Sequence, residues 1–256
     1  KPGATSNIAS EAVAKSQPDG YTLLLGTIAN ATNMTAYRNL GYDTLRDFVH
    51  ITQTMSAPSV LAVHPSVPVK SVRDLIALAK KEPGKLTYAS SGNAGSPHLA
   101  GELLKMRTGI DIVHVPYKGA TPAMTDLLSG QVTMSFQTAL SAIPYLKSSK
   151  LHVLAVAAHK RMTLLPDVPT MAEAGVPDFE VSSWNGLFAP AKTPKDVIER
   201  IQREVAAAVR HPELVKRFAD LGAEAVGSTP AELDAILRGQ IAQFRPILNE
   251  LKPSVE

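Results

Sequence analysis

The sequence predicts an α/β chain of two lobes, each a sheet flanked by helices, joined by two interlobe crossings. Three observations carry this. From residue 60 to about residue 184, strand-like runs alternate with helical patterns across short connections, the mark of a parallel sheet covered on both faces. Residues 1–57 hold too few elements to close a core alone. Residues 190–256 are mostly helical, so the two end pieces are most economically one lobe. The resulting boundaries are 1–59 with 187–256 for the first lobe and 60–186 for the second. The crossings fall near residues 57–60 and 184–188. Two such lobes define a cleft that opens and closes about a hinge.

The elements follow in chain order. The first segment gives a helix over Ile8–Lys15, a strand over Tyr21–Leu25 and a weaker strand over Phe48–Thr54. In the middle, strands are expected at Val60–His64, Leu86–Ala89, Ile112–Val115, Val132–Phe136 and Leu151–Ala155. A helix from Ser71 to Glu82 sets Val72, Leu75, Ile76 and Leu78 on one side. Ser71 and Asp74 resemble a capping box at its start, and Pro83-Gly84 stops it. Further helices are expected over His98–Arg107, Pro122–Leu128 and Ala139–Lys147. In the last segment, Thr193-Pro194 with Asp196 reads as a capped start, followed by Val197, Ile198, Ile201, Val205 and Val209 at helical spacing. Thr229-Pro230 with Glu232 repeats the device before Leu233, Ile236, Leu237, Ile241 and Phe244, and Pro246 is expected to kink that helix.

Composition narrows the function classes. Of 256 residues, 45% are hydrophobic and 19% charged, enough apolar content for a core and too much for a disordered chain. Cysteine is absent, which removes disulfides, thiolate metal sites and cysteine nucleophiles. The net charge of +3 is scattered; Lys80-Lys81 and Lys216-Arg217 stand beside acids, so no nucleic-acid partner is expected. No apolar run of about 18 residues exists, so no membrane insertion is expected. The chain opens at Lys1-Pro2-Gly3 without an initiator Met or signal peptide, which suggests a processed or truncated chain whose earlier part held an export signal.

Catalytic signatures are missing: no phosphate-binding or dinucleotide glycine motif, no nucleophile elbow, no zinc-binding helix motif. The seven histidines are dispersed without metal-ligand spacing, so no metal or cofactor is expected. The informative residues lie at the C-terminal ends of the strands, where ligands bind in such sheets. Strand Leu86–Ala89 runs into Ser90-Ser91-Gly92-Asn93-Ala94-Gly95-Ser96-Pro97-His98 and then a helix. Small residues allow close backbone approach, hydroxyls and first-turn amides donate, and the helix N-terminus is partly positive, so an anion needs no cation here. The plainer alternative is an ordinary loop with Ser96 as N-cap and Pro97 at the first helical position.

Three other loops join the set. Lys118, in Val115-Pro116-Tyr117-Lys118-Gly119, is the sole cation among them, either a ligand contact or a solvated turn residue. Gln137 follows another strand, as a ligand contact or part of a polar helix cap. In the first lobe, Gly26-Thr27-Ile28-Ala29-Asn30-Ala31-Thr32-Asn33 is rich in amides and hydroxyls and ends near a possible short helix. Asn30 and Asn33 stand in glycosylation sequons by spelling but read as loop chemistry. Trp184, the only tryptophan, lies at a crossing, as a cleft wall or a core anchor. His114, between two valines of a strand, reads as a satisfied buried histidine and not as a base. His98 either orients the glycine loop or touches the ligand directly.

Several segments resemble one family. They are Pro18–Leu24, Tyr88–Gly92 with Ser96 and His98–Leu103, His114–Gly119, Leu165–Gly175 and Trp184 with Gly186–Pro190, and together they span nearly the whole chain. The resemblance is to the substrate-binding proteins of tripartite tricarboxylate transporters, the Bug family. It implies a periplasmic binding protein of type II-like, two-lobed form, monomeric, which captures a small di-, tri- or aromatic carboxylate for membrane permease subunits. By motif position, Ser90, Ser91, Gly92, Ser96 and His98 form one side of the site, and Thr27, Ala29 and Asn30 match the loop of the first lobe. Asn93, Gly95, Lys118, Gln137 and Trp184 complete the expected ligand contacts. Leu165–Gly175 is expected to be structural, a turn and short helix.

Three departures stand out. Family members begin earlier, with a strand, a Pro/Gly-rich loop and a helix that contribute to the carboxylate site. Gly3-Ala4-Thr5-Ser6-Asn7 is less glycine-rich than usual there. Gln137 replaces a common acid, which disfavours an amino-acid ligand and favours a plain carboxylate. The resemblance implies a receptor, not an enzyme; the alternatives are an extracytoplasmic sensor with a signalling partner, or an enzyme on the same fold.

Overall fold

A computed structural model of the chain describes residues 6–37, 39–146 and 148–251. Lys1–Thr5, which include most of the glycine-poor stretch, and Lys147, the expected end of a helix, lie outside the described residues. The elements in order are α1 (Asn7–Ala14), β1 (Leu24–Gly26), α2 (Ala29–Ala36), β2 (Phe48–Val63), α3 (Val72–Lys81), β3 (Thr87–Ser90), α4 (Ser96–Thr108), β4 (Val113–Pro116), α5 (Ala120–Leu128), β5 (Met134–Thr138), α6 (Ala139–Leu146), β6 (His152–Val156), β7 (Ser182–Pro190), α7 (Lys195–Val209), α8 (Pro212–Asp220), β8 (Glu224–Ala225) and α9 (Pro230–Glu250). Residues 1–56, 184–219 and 224–256 form unit 1; residues 57–183 and 220–223 form unit 2.

In unit 1, β1 pairs antiparallel with β7, in the register Leu24↔Phe188 and Gly26↔Gly186. β7 neighbours β2, and β8 pairs antiparallel with β2 at Met55↔Ala225. Leu24, Tyr42, Phe48, Trp184, Phe188, Leu233, Leu237 and Ile241 form the core, with Ala31 of α2 and the apolar side of α9 against the sheet. Gly26 is required there, because a Cβ would lie 2.8 Å from the Phe188 ring. The first strand is shorter than expected. Tyr21 is 93% exposed, and its N–H donates to Asp19 Oδ1 in the preceding turn, so pairing starts only at Leu24. The Thr229–Glu232 capping box forms at the start of α9, and the helix continues through Pro246 to Glu250. Thr193 does not cap α7. Its hydroxyl donates back to Pro190 O at 2.8 Å, and Pro194 holds the cap position.

In unit 2 the strand order is β6-β2-β5-β3-β4. β3 runs parallel to β4 and β5, but β2 is antiparallel to both β5 and β6. The sheet is therefore mixed, not parallel. The cause is β2. The two expected strands Phe48–Thr54 and Val60–His64 are one strand of 16 residues that enters from unit 1. Pro58 falls between its unit 1 pairing, at Ser56↔Glu224, and its unit 2 pairing, at Ser59↔Thr138. A residue without an N–H is tolerated where a ladder changes partners.

α3 begins with the Ser71 hydroxyl accepting from Asp74 N at 3.1 Å. α4 and α5 pack on β3, through Leu99, Leu103, Ala123, Met124 and Leu127, all buried. Leu165–Gly175 is a run of turns without the expected short helix. Thr170 bridges Val156, its N–H donates to Glu173 Oε2 at 2.7 Å, and Glu173 N returns a bond to Thr170 Oγ1 at 3.1 Å. That reciprocal cap starts a helical turn which Pro177 follows too closely to extend. Four residues at the end of α8 and beyond it, Asp220–Ala223, also belong to unit 2, an excursion the sequence pattern does not signal. Among the described residues no helix is long and apolar enough to cross a membrane.

Candidate functional site

The candidate site of unit 2 is the turn from β3 into α4. Gly92 has φ +132° and Ala94 φ +58°, so the chain reverses tightly twice within three residues. Glycine suits the first; alanine in the second is disfavoured and needs support. Support comes from below. Ala94 N donates to His98 Nδ1 at 3.0 Å, and the buried Ser90 hydroxyl accepts from Gly92 N at 3.2 Å and donates to Gly92 O at 3.0 Å. Ser90 Oγ also meets His114 Nε2 at 2.6 Å. With the Ser90 proton on Gly92 O, His114 donates and its proton sits on Nε2.

The two imidazoles stack with centroids 3.9 Å apart and planes 11° from parallel. The Tyr88 ring covers His114 at 4.9 Å. Tyr88 reaches Glu102 Oε1 with its hydroxyl at 2.6 Å, and Lys105 Nζ binds the same carboxylate at 3.0 Å. Burial is the main cause that lowers His98 from its ordinary value. Burial, then the neighbouring His98, brings His114 down to about 3. Burial and the Glu102 carboxylate raise the Tyr88 phenol. Both imidazoles are thus neutral near pH 7.

Above this base the loop presents donors. α4 starts one residue earlier in the helical sense than its N-cap reading implies: Gly95, in extended geometry, is the cap, and Ser96 is the first helical residue. The first helical bond is Leu99 N to Gly95 O at 3.0 Å, so the N–H groups of Ser96 and His98 precede the ladder, with Pro97 between them. Ser96 Oγ meets Ser183 Oγ at 3.2 Å. Among the described residues the half-buried Ser91 and Asn93 side chains take no hydrogen-bond partner. Gly92 and Gly95 are half-buried; a Cβ at Gly92 would lie 3.7 Å from Tyr117 O, and one at Gly95 would lie 3.7 Å from Ser91 Oγ and Gly92 O. Hydroxyls, an amide and two first-turn N–H groups make a set of donors suited to a carboxylate.

The other expected contacts divide clearly. Lys118 is exposed, at the turn after β4; Ser90 and Pro116, which open the two turns, pair in register. Gln137 is buried with both ends engaged: its Nε2 donates to Ser135 Oγ at 2.8 Å, and its Oε1 accepts from Ser141 Oγ at 3.3 Å. It is a structural amide at the entrance to α6, because a buried amide must be satisfied where it stands. Ser90 spends its side chain inside the loop, and His98 Nδ1 accepts from Ala94 N there, the geometry of the orienting reading.

In unit 1 the expected loop is largely helix, since α2 already begins at Ala29. Thr27 Oγ1 accepts from Ala29 N at 3.2 Å, and Asn30 Oδ1 accepts from Thr27 N at 3.0 Å. Asn30 is 1% exposed and its Nδ2 donates to Ser10 Oγ at 3.0 Å, so its amide braces the turn. The Ala29 N–H is engaged in the same turn. Thr27 is half-buried and keeps its own hydroxyl proton. Trp184 is the core anchor of its two readings: it is 2% exposed, packed on Phe188, with Nε1 donating to Gln240 Oε1 at 2.7 Å.

Two features escaped the sequence reading. Ser183 precedes Trp184 in β7 and so points to the opposite face, a period-two signal that places it outside the unit 1 core. The Tyr88–His114–His98 column has no linear signal, because it depends on the parallel register Tyr88↔His114.

Residues 1–252 match the sequence profile described as "Tripartite tricarboxylate transporter family receptor". Protein BugT of Bordetella pertussis is 34% identical over 250 residues, which are 97% of this chain and 77% of BugT. Among solved structures, Rpa4515 of R. palustris with adipate is 36% identical at a TM-score of 0.88, covering 97% of this chain and 84% of that one. MatC of Rhodopseudomonas palustris with bound malate is 28% identical at 0.84, covering 96% and 85%. The chain belongs to the receptor family of the tripartite tricarboxylate transporters, and its fold is that of the family's periplasmic binding proteins.

Proposed function

We propose that the protein is a periplasmic receptor that binds a small carboxylate, a di- or tricarboxylate or an aromatic acid, and delivers it unchanged to the permease of a tripartite transporter. The observation that carries this is the β3–α4 turn. It gathers the Ser91 and Ser96 hydroxyls, the Asn93 amide and the Ser96 and His98 N–H groups around one helix N-terminus. Such donors neutralise an anion by dipoles and leave it free to depart, because no fixed countercharge has to be stripped from it. The imidazoles beneath are engaged in holding the loop, so neither serves as a general base. Adipate and malate in the two related structures support the carboxylate class.

Calorimetric titration with malate, adipate and their neutral diamides tests the reading. An acid binds with release of heat, its diamide does not, and mass spectrometry recovers the acid unaltered after prolonged incubation. Failure of a broad panel of carboxylic acids to bind, or conversion of a bound acid, overturns it.

A further inference from the structure

Within that proposed function, we propose that His98, stacked on His114, is a positioning residue that keeps the carboxylate loop in its binding shape only while its ring is neutral, so that acidification loosens the grip on ligand. The geometry is specific. Two left-handed residues, Gly92 and Ala94, give the loop its shape, and Ala94 is the one with no conformational licence of its own. Its N–H is held by the lone pair of His98 Nδ1 at 3.0 Å. A proton on Nδ1 turns that acceptor into a donor aimed at another donor, and that hydrogen bond is lost. The second tie, Ser90 to His114, sits one ring below. With centroids 3.9 Å apart, a charge on either ring opposes a charge on the other.

The surroundings relieve that charge only in part. From β3 the facing titratable group is Tyr88, stacked 18° from the His98 plane with its hydroxyl committed to Glu102. From α4 itself there are Glu102 and Lys105, paired with each other at 3.0 Å. β4 contributes His114, and β5, which also packs on α4, carries no titratable residue over Met134–Thr138. Beyond Gly92, Tyr117 binds Asp126 at 2.6 Å. Among the described residues the Glu102 carboxylate is therefore the one anion near the pair, and two donors already occupy it. Burial lowers both histidines, which places the loss of shape below neutral pH.

Two variants separate this role from plain packing. His98→Asn puts an amide oxygen near the place of Nδ1 and does not titrate; His98→Phe keeps a stacked ring without an acceptor. Malate and adipate affinities are measured by calorimetry between about pH 8 and about pH 5, with hydrogen exchange of the Ala94 amide followed in ligand-free protein. The expected result is an affinity for the wild type that falls about tenfold more than that of His98→Asn over this range, the ligand's own protonation being common to both. Taken against the intrinsic exchange rate at each pH, the protection of the Ala94 amide falls on acidification in the wild type, holds in His98→Asn and is absent at every pH in His98→Phe. Equal pH dependence in wild type and His98→Asn, or a protected Ala94 amide in a folded His98→Phe, overturns the proposal. If no acid binds the wild type at any pH, the receptor reading fails, and the exchange of Ala94 still decides whether the imidazole pair shapes the loop.

Discussion

Ser90 and Ser96 bracket the same turn, yet their hydroxyls do different things. Ser90 is fully buried and sits between Gly92 and His114, so Ser90→Ala leaves a half-buried imidazole N–H without its acceptor. The expected cost is about 1–3 kcal/mol of stability, read as a lower denaturation midpoint with or without ligand. Ser96 meets only Ser183 and stands at the first helical position, with its N–H ahead of the helical ladder. Ser96→Ala is expected to leave the ligand-free midpoint within about 0.5 kcal/mol. It weakens carboxylate binding about tenfold, as loss of a hydrogen bond to a charged group does. If the two variants shift stability and affinity in parallel, burial has not separated their roles. The residue types of the turn were legible in the sequence, since only small and hydroxylic residues run from Ser90 to Ser96 apart from Asn93. Which side chains face inward was not, because Asn30, Gln137 and Ser90 look as available as Ser91 until their buried partners are known.

At the scale of elements, α4 lies on β3 through Gly101. A Cβ at that position would fall 2.2 Å from Tyr88 Cε2, inside the ring's contact distance, with Tyr88 fully buried. Gly101→Ala is therefore expected to push Tyr88 into the histidine column it covers. It destabilises by about 1–3 kcal/mol despite the better helix propensity of alanine. Gly239→Ala, at a position in α9 with open space around it, is expected to stabilise by up to about 1 kcal/mol. Chemical denaturation of both variants checks the contrast; a neutral Gly101→Ala means the helix and sheet slide apart at little cost. Helix starts were legible where a side chain caps its own N3 amide, as at Ser71 and Thr229. They were misplaced where proline follows the hydroxyl residue and the hydroxyl turns elsewhere, as at Thr193 toward Pro190 and Ser96 toward Ser183. Strand direction was not legible: Val60–Val63 has the same apolar character whether it runs parallel or antiparallel to β5, and only continuity with Phe48–Ser56 decides it.

For the molecule as a whole, the division into two units cuts through strands. β2 passes from unit 1 to unit 2 after Ser56, and β7 passes back after Ser183. The two-lobe pattern was legible because both end segments lacked a core of their own. The route of Asp220–Ala223 was not, since it depends on Gly222 fitting closely against Ile143 and Met162. Strands that continue through both units make separate unfolding costly, since melting one unit strips ladder partners from the segment that enters the other. Trp184, the sole tryptophan, lies in the core of unit 1 and reports on that unit alone, while far-UV ellipticity reports on both. The two signals are expected to lose their native values at one midpoint, as in a cooperative transition. A carboxylate held by the β3–α4 turn of unit 2 then raises the midpoint seen by Trp184. The gain is about 2.7 kcal/mol at a ligand concentration of about 100 times Kd, because binding to any part of a cooperative native state stabilises all of it. A tryptophan transition that ignores the ligand while ellipticity shifts shows that the units melt independently, and that the shared strands do not couple them.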